Sequence, residues 1–423
     1  MKIRLPRAGL WNAHTAGMLA FLALFPGFFF YHTALGLGLI GAFLGGYFAP
    51  VALLVAGPLV YFYVRKVRYQ PGFLAYTDVA WLMYMLFFSA IVAVNAMAGA
   101  NPAIVTNHAL AVLFMMNVFL MFRLTGFGER FCRLVCMAAL LGMSAIVFAY
   151  SVDGSFYLAP LGTARNPESL ATYQGFSRSY LFTFAVVIAF ARGWRLRVLL
   201  YLLAAPTLFV NTARSEFAAM LFMIPIIELY HARRKFLVAS LFGVALLLAY
   251  MNLELLLSLL PNNRILELVD LSHSTSASKR HHLSAYAWHT ITQFPWFGDY
   301  ASYNPGFYAH NVLSAWVDTG LFGFLFVLGI VIVPAIPLFF RGYFARPRNG
   351  QLILAIALAC ITVLMQVSAH YFTDMLIGAT LGAYSAYLNG RKNGYHRTPD
   401  LGPSAPRHPD LHQAMPMAGG PRA

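Results

Sequence analysis

His310 and Asn311 stand where a polar stretch gives way to an apolar one, in Tyr308-Ala-His310-Asn311-Val-Leu-Ser-Ala-Trp316-Val-Asp318-Thr-Gly320-Leu-Phe-Gly323. A histidine at a membrane surface titrates near neutrality and is suited to general-base work, although His310 at this position can equally cap the helix that follows. Asp318, about two turns further on, is an acid inside an apolar run. Such a carboxylate is costly unless paired, so it marks either a functional site or a structural pair, with an arginine or His310 as partner. Gly320 and Gly323 are spaced to let another helix approach closely. A second set is cationic: Arg165, Arg178, Arg214, Arg264, Lys279 and Arg280 lie away from the other basic residues of the chain. They either pair with acids such as Asp153, Glu168, Glu216, Glu267, Asp270, Asp299 and Asp374, or hold an anionic ligand. The planar guanidinium fork suits phosphate because it donates two parallel hydrogen bonds and stays charged.

The composition defines what must position these residues. The chain has 423 residues, 60% hydrophobic, 16% aromatic and only 10% charged, with mean hydropathy +0.67. A soluble domain carries about 25% charged residues, so a large water-soluble enzyme is excluded. Continuous rather than alternating apolar runs exclude a membrane β-barrel. The expected class is all-α, a polytopic membrane protein. The net charge of +15 is not a nucleic-acid signature, because 23 of the 29 Lys and Arg fall in seven clusters that punctuate the apolar runs. These are Lys2/Arg4/Arg7, Arg65/Lys66/Arg68, Arg123/Arg130/Arg133, Arg192/Arg195/Arg197, Arg233/Arg234/Lys235, Arg341/Arg346/Arg348, and the five from Arg391 onward.

If all seven clusters are cytoplasmic, each interval holds one hairpin of spans. The pairs are 14–32 with 44–64, 79–98 with 104–122, 134–151 with 176–191, 196–212 with 215–231, 236–260 with 312–340, and 351–370 with 374–389. That predicts about twelve transmembrane helices in a membrane domain over residues 1–390, the first an uncleaved span and the Gly-rich stretch 33–48 kinked or re-entrant. The Pro-rich stretch 391–423 reads as a disordered cytoplasmic tail. Two long loops, 152–175 and 261–311, then lie on the opposite side. The second is the larger periplasmic loop, with a helix expected over 278–294 and ended by Pro295. It is too small for a core of its own and is expected to cap the membrane face.

Other residues carry weaker signals. Cys132, Cys136 and Cys360 fit no disulfide framework, and packing is favoured over metal for the first two. His282 and His289 share a helical face beside His281, but lack a third metal ligand. His370 and Asp374 are placed at the end of the eleventh span. Tyr286, Trp288, Trp296, Tyr300, Tyr303 and Tyr308 either stack on sugars or form an interfacial aromatic belt.

With these residues in view, the chain resembles the O-antigen ligase and polymerase superfamily over about residues 76–388. The resemblance rests on His310-Asn311 with Gly320 and Gly323 in a late span, and on Asn211-Thr-Ala-Arg214-Ser215-Glu216 between two spans. It rests also on Lys279-Arg280 with Phe294-Pro295-Trp296-Phe297-Gly298, and on Gly162-Thr-Ala-Arg165-Asn166-Pro167. The small residues around Arg214 depart in order from the family pattern.

The resemblance implies an inverting, metal-independent glycosyltransferase of the bacterial inner membrane, active on the periplasmic side and needing no cofactor. Its donor would be a glycan on undecaprenyl pyrophosphate. Its acceptor would be lipid A–core for a ligase or a growing polysaccharide for a polymerase, with the ligase type favoured. Carried over residue by residue, His310 is the catalytic base and Arg214 and Arg280 hold the pyrophosphate. Asn311, Asp318, Arg165 and Arg178 are candidate substrate-binding residues. The rival classes are a lipid-linked sugar flippase or other transporter, and a scaffold of an export complex.

Overall fold

The computed structural model describes residues 12–41, 46–156, 173–259, 265–266, 275–304, 307–344, 349–371 and 376–392. Arg165, Glu168, Arg264, Glu267, Asp270 and Asp374, the side chain of Lys279, the first basic cluster and the tail beyond 392 lie outside them.

The described residues are all-helical apart from one isolated bridge between Val152 and Ser155. α1 (Ala13–Leu22) is started by the Asn12 side chain, which accepts from Thr15 N at 2.9 Å. It runs through a π turn (Ala23–Gly27) into α2 (Phe28–Gly36). The wide turn is placed by Pro26, which has no N–H to give the helix ladder. Then follow α3 (Phe48–Tyr69), α4 (Tyr76–Met97), α5 (Pro102–Leu124), α6 (Arg130–Ala149), α7 (Tyr173–Ala189), α8 (Trp194–Val210), α9 (Arg214–His231) and α10 (Lys235–Met251). The remainder are α11 (Leu253–Leu259), α12 (Thr275–Gln293), α13 (Leu313–Phe344), α14 (Gly350–Met365) and α15 (Leu376–Lys392). α12 occupies the expected loop helix. α14 stops at Met365, short of the span expected to 370, so His370 sits in the turn that follows rather than on a helix.

α5, α14 and α15 pack together at the centre, with α7, α9 and α13 against α14. Twelve of the α14 residues are buried, whereas α10 buries none. The peripheral helices are apolar on every face: the α3 window has mean hydropathy 1.6 yet is 22% buried, and the α4 window 1.9 and 28%. A water-facing protein does not present such faces, and lipid does. Among the described residues six helices, including the continuous Ala13–Gly36 and the Leu313–Arg341 part of α13, are long and apolar enough to cross a membrane. The architecture is that of a polytopic, integral membrane protein. Cys132, Cys136 and Cys360 are all buried in it as free thiols.

The bundle has two distinct ends. The basic clusters that fall within the described residues gather at one, while Arg346 and Arg348 lie outside those residues. At that end His14 Nε2 meets Glu129 at 2.9 Å, and Arg341 donates to the Tyr384 hydroxyl at 2.7 Å. Asn349 N donates to the Tyr230 hydroxyl, and Asn389 donates to the carbonyls of Gly72 and Phe73. At the opposite end Phe156 N donates to Val210 O, and Val312 N to Gln366 O.

Candidate functional site

The opposite end is built from helix termini. α8 closes at Val210, and Asn211-Thr212-Ala213 turns the chain into α9, whose first residue is Arg214. Thr212 takes φ +65°, a strained conformation for a β-branched residue, and is buried. Asn211 Nδ2 donates to Ser177 Oγ at 2.8 Å and ties this turn to α7. Asn211 Oδ1, Thr212 Oγ1 and Glu216 Oε2 are buried oxygens with no hydrogen-bond partner among the described residues. A cation at a helix N-terminus is disfavoured by the helix dipole, so Arg214 stands where an anion is the natural companion. Glu216, in the same first turn, is fully buried and receives Arg178 Nε at 3.1 Å. Arg178 therefore has a carboxylate partner, Glu216, one of the acids the sequence offers for such pairing.

Arg280, on α12, lies within electrostatic reach of Arg214 and Tyr173. Burial chiefly, and the neighbouring charge of Arg214 next, lower its pKa, with Tyr173 acting the other way. Among the described residues no carboxylate contributes to those influences, in contrast to Arg178. His310 lies within reach of the same charge: burial first, then Arg280, lower its pKa below the ordinary 6.5, so the imidazole is neutral at pH 7. Tyr308 leans on His310, with ring centres 4.9 Å apart, and Arg178 favours the ionised form of its hydroxyl against the larger effect of burial. The structure thus brings Arg178, Arg214, Arg280 and His310 to one end of the bundle, drawn from α7, α9, α12 and the segment before α13.

Asn311 and Asp318 have other work. Asn311 Oδ1 accepts from Leu313 N at 3.0 Å and its carbonyl accepts from Ser314 Oγ at 2.7 Å, so Asn311 starts α13. Asp318 is buried below. It accepts from Ala301 N at 3.1 Å and from the Tyr303 hydroxyl at 3.0 Å, and lies 3.8 Å from His370 Nε2. Among the described residues its partners are therefore these groups, not an arginine or His310. The Tyr303 hydroxyl is also 3.4 Å from both His370 Nε2 and His108 Nε2, and His108 Nδ1 is 2.7 Å from the Tyr300 hydroxyl. The Tyr308 ring, 4.4 Å from that of His370, joins this buried set to His310.

Sequence reasoning passed over Tyr173 and His108. An isolated histidine in the apolar run of α5 was the available signal for His108. Nothing local marks Tyr173. Among the described residues no three of His, Cys, Asp or Glu gather closely enough to hold a metal ion, the α12 histidines included.

Gly320 serves a different contact from the helix approach its spacing suggested. It breaks the α13 ladder with φ +66° and ψ −172°, and a Cβ there would overlap the Trp296 carbonyl. The turn after α12 docks into this break. Compared with known proteins, the chain matches no protein-family model and no curated protein.

Proposed function

We propose that this chain is a glycosyltransferase of the bacterial inner membrane, of the O-antigen ligase type. It would pass a glycan from undecaprenyl pyrophosphate to an acceptor hydroxyl in surface-polysaccharide assembly. In this reading it crosses the membrane about twelve times, with the basic clusters cytoplasmic and the arginine–histidine end periplasmic. The supporting observation is that Arg280 feels the charge of Arg214 and in turn acts on His310, with no carboxylate of the described residues among the groups acting on Arg280. Two like charges held together and half-withdrawn from water call for an anion of multiple charge, and a diphosphate is one.

The chemistry follows from that placement. The acceptor oxygen attacks the anomeric carbon, the carbon–oxygen bond to the diphosphate breaks, and its electron pair leaves with the phosphate. Arg214 and Arg280 stabilise the charge that develops there. His310 takes the proton of the attacking hydroxyl. A single displacement of this kind inverts the anomeric configuration. Arg178, tied to Glu216, and Tyr308 line the same approach. Asn311 and Asp318 act through the structure: Asn311 fixes the helix after His310, and Asp318 anchors the tyrosine–histidine set beneath it.

A polymerase of the same superfamily, with a growing polysaccharide as acceptor, is the second reading. The same arginines and histidine serve it, and no residue of the site separates the two. A flippase is less well supported, because the cations sit at one end rather than near mid-bundle, where transporters bind.

The lipid-linked glycan pool in cells lacking the gene tests the proposal. Long chains accumulating on the polyprenyl carrier are the expected result. Single repeat units accumulating outside the membrane would favour the polymerase, and units trapped on the cytoplasmic face would refute both enzymes.

A further inference from the structure

The turn that follows α12 carries Phe294, Pro295, Trp296 and Phe297, and it is closed by Gly298 N donating to Phe294 O at 3.1 Å, with Gly298 at φ +71°. The turn does not stand above α13. It packs against the helix at Gly320, seven residues past Leu313, which at about 1.5 Å per residue places the contact roughly 10 Å along the helix. α13 is one of the apolar, membrane-length helices, so an aromatic turn at that level lies beside membrane-spanning surface.

The bonding fits such a place. Backbone groups at membrane depth need protein partners, because lipid offers none. Pro295 has no N–H to satisfy. Its carbonyl accepts from Leu321 N at 3.0 Å and from Trp316 Nε1 at 2.8 Å, and Asp299 N donates to Val317 O at 2.7 Å. The break at Gly320 and the turn therefore satisfy one another.

The side chains, by contrast, point away from the protein. Phe297 is 83% exposed and Trp296 57% exposed. Both rings lie next to Phe322 of α13, at 6.3 and 6.4 Å between centres, and Phe322 is itself exposed. Along α13 that face continues through exposed Leu325, Ile332, Val333, Ile336 and Phe340. The aromatic turn is an extension of the lipid-facing stripe of a membrane helix.

We propose that Trp296 and Phe297 insert into the interfacial region of the lipid bilayer and anchor the α12 cap to it. Tryptophan and phenylalanine side chains at this level suit the boundary between headgroups and acyl chains. The occupant of this surface is thus lipid, not a protein partner. The anchor fixes the end of the cap that is joined to α13, while Arg280 lies towards the other end of the same helix. The inference depends on the membrane architecture and not on the glycosyltransferase reading.

The test uses the full chain in vesicles of phosphatidylethanolamine and phosphatidylglycerol. Spin labels are placed separately at Phe297→Cys, Leu325→Cys and His281→Cys, after replacing the three native cysteines with alanine. Relaxation by oxygen, which concentrates in lipid, is compared with relaxation by a water-soluble nickel chelate. The expected result is a label at 297 that follows 325, with oxygen dominant, while 281 shows the reverse. A label at 297 that follows 281, or one shielded from both reagents, would overturn the proposal. Should the labelled protein fail to fold, brominated-lipid quenching of the native tryptophans supplies the same reading. Loss of part of that quenching in Trp296→Phe supports insertion, and unchanged quenching refutes it.

Discussion

At the end of the bundle that carries the basic clusters, Arg123 lies inside the protein and is answered on every side. Its Nε donates to Asp78 at 2.8 Å, its guanidinium covers the Phe73 ring 3.8 Å from the centroid, and it donates to the Phe73 carbonyl. The same carboxylate accepts from Tyr63 and from Ala75 N. Arg197 is held by Glu228 in the same manner, through two bonds of 2.6 and 2.7 Å, with Tyr201 completing the set. At the opposite end Arg178 has such a partner in Glu216, whereas Arg280 meets Arg214 and a neutral histidine. A buried charge with its counter-charge belongs to the fold. Two like charges gathered from different helices cost stability where they sit, and a bound anion reverses that cost. The contrast sets Arg123, Arg197 and Arg178, which tie helices together through carboxylates, apart from Arg280, to which the proposed function assigns an anionic ligand.

Substitutions at the two ends should therefore fail in different ways. Asp78→Ala leaves Arg123 buried without its counter-charge and is expected to cost about 3–5 kcal/mol, seen as a large fall in the melting temperature of the detergent-solubilised protein. Arg280→Ala is expected to lower glycan transfer by about 10²–10³-fold, with expression and melting maintained, since a like-charge neighbour of Arg214 is removed. Arg280→Lys should also be damaging if the guanidinium grips phosphate through two bonds. Gly320→Ala combines a strained backbone with an overlap on the Trp296 carbonyl. It should destabilise by about 1–3 kcal/mol from the backbone strain alone, with the loss confined to the α12–α13 region in hydrogen exchange.

The smallest effect concerns pH. His310 accepts a proton only when neutral, and its pKa lies below 6.5. Transfer should be flat at neutral pH and fall as the pH drops through that lowered value. Arg280→Gln removes a positive neighbour, so the acidic limb of the residual activity should move up towards 6.5. An acidic limb that stays in place would separate His310 from Arg280.

Much of the helical framework was legible because its signals are local. Apolar runs between basic clusters mark the helices, and Pro295 marks the end of α12. The six Lys and Arg left over from the clusters included the Arg178, Arg214 and Arg280 that the fold brings to one end. What stayed hidden depends on contacts between distant segments. Asp318 meets Tyr303 from the preceding loop, His370 from beyond α14 and, through Tyr303, His108 from α5. No spacing rule within one segment reports such a set. Gly320 was read for helix packing because its spacing to Gly323 is all the sequence displays, whereas its role depends on the turn after α12. The Asp78–Arg123 pair was missed for the same reason, since its members lie on α4 and α5.

The most direct test pairs two readings on one variant, Arg280→Ala reconstituted in vesicles with a polyprenyl-diphosphate-linked glycan and an acceptor. Lost transfer with a melting temperature equal to or above that of the wild type is the predicted outcome. Transfer that persists, or a fall in melting like that of Asp78→Ala, would contradict the assignment of this arginine to a ligand.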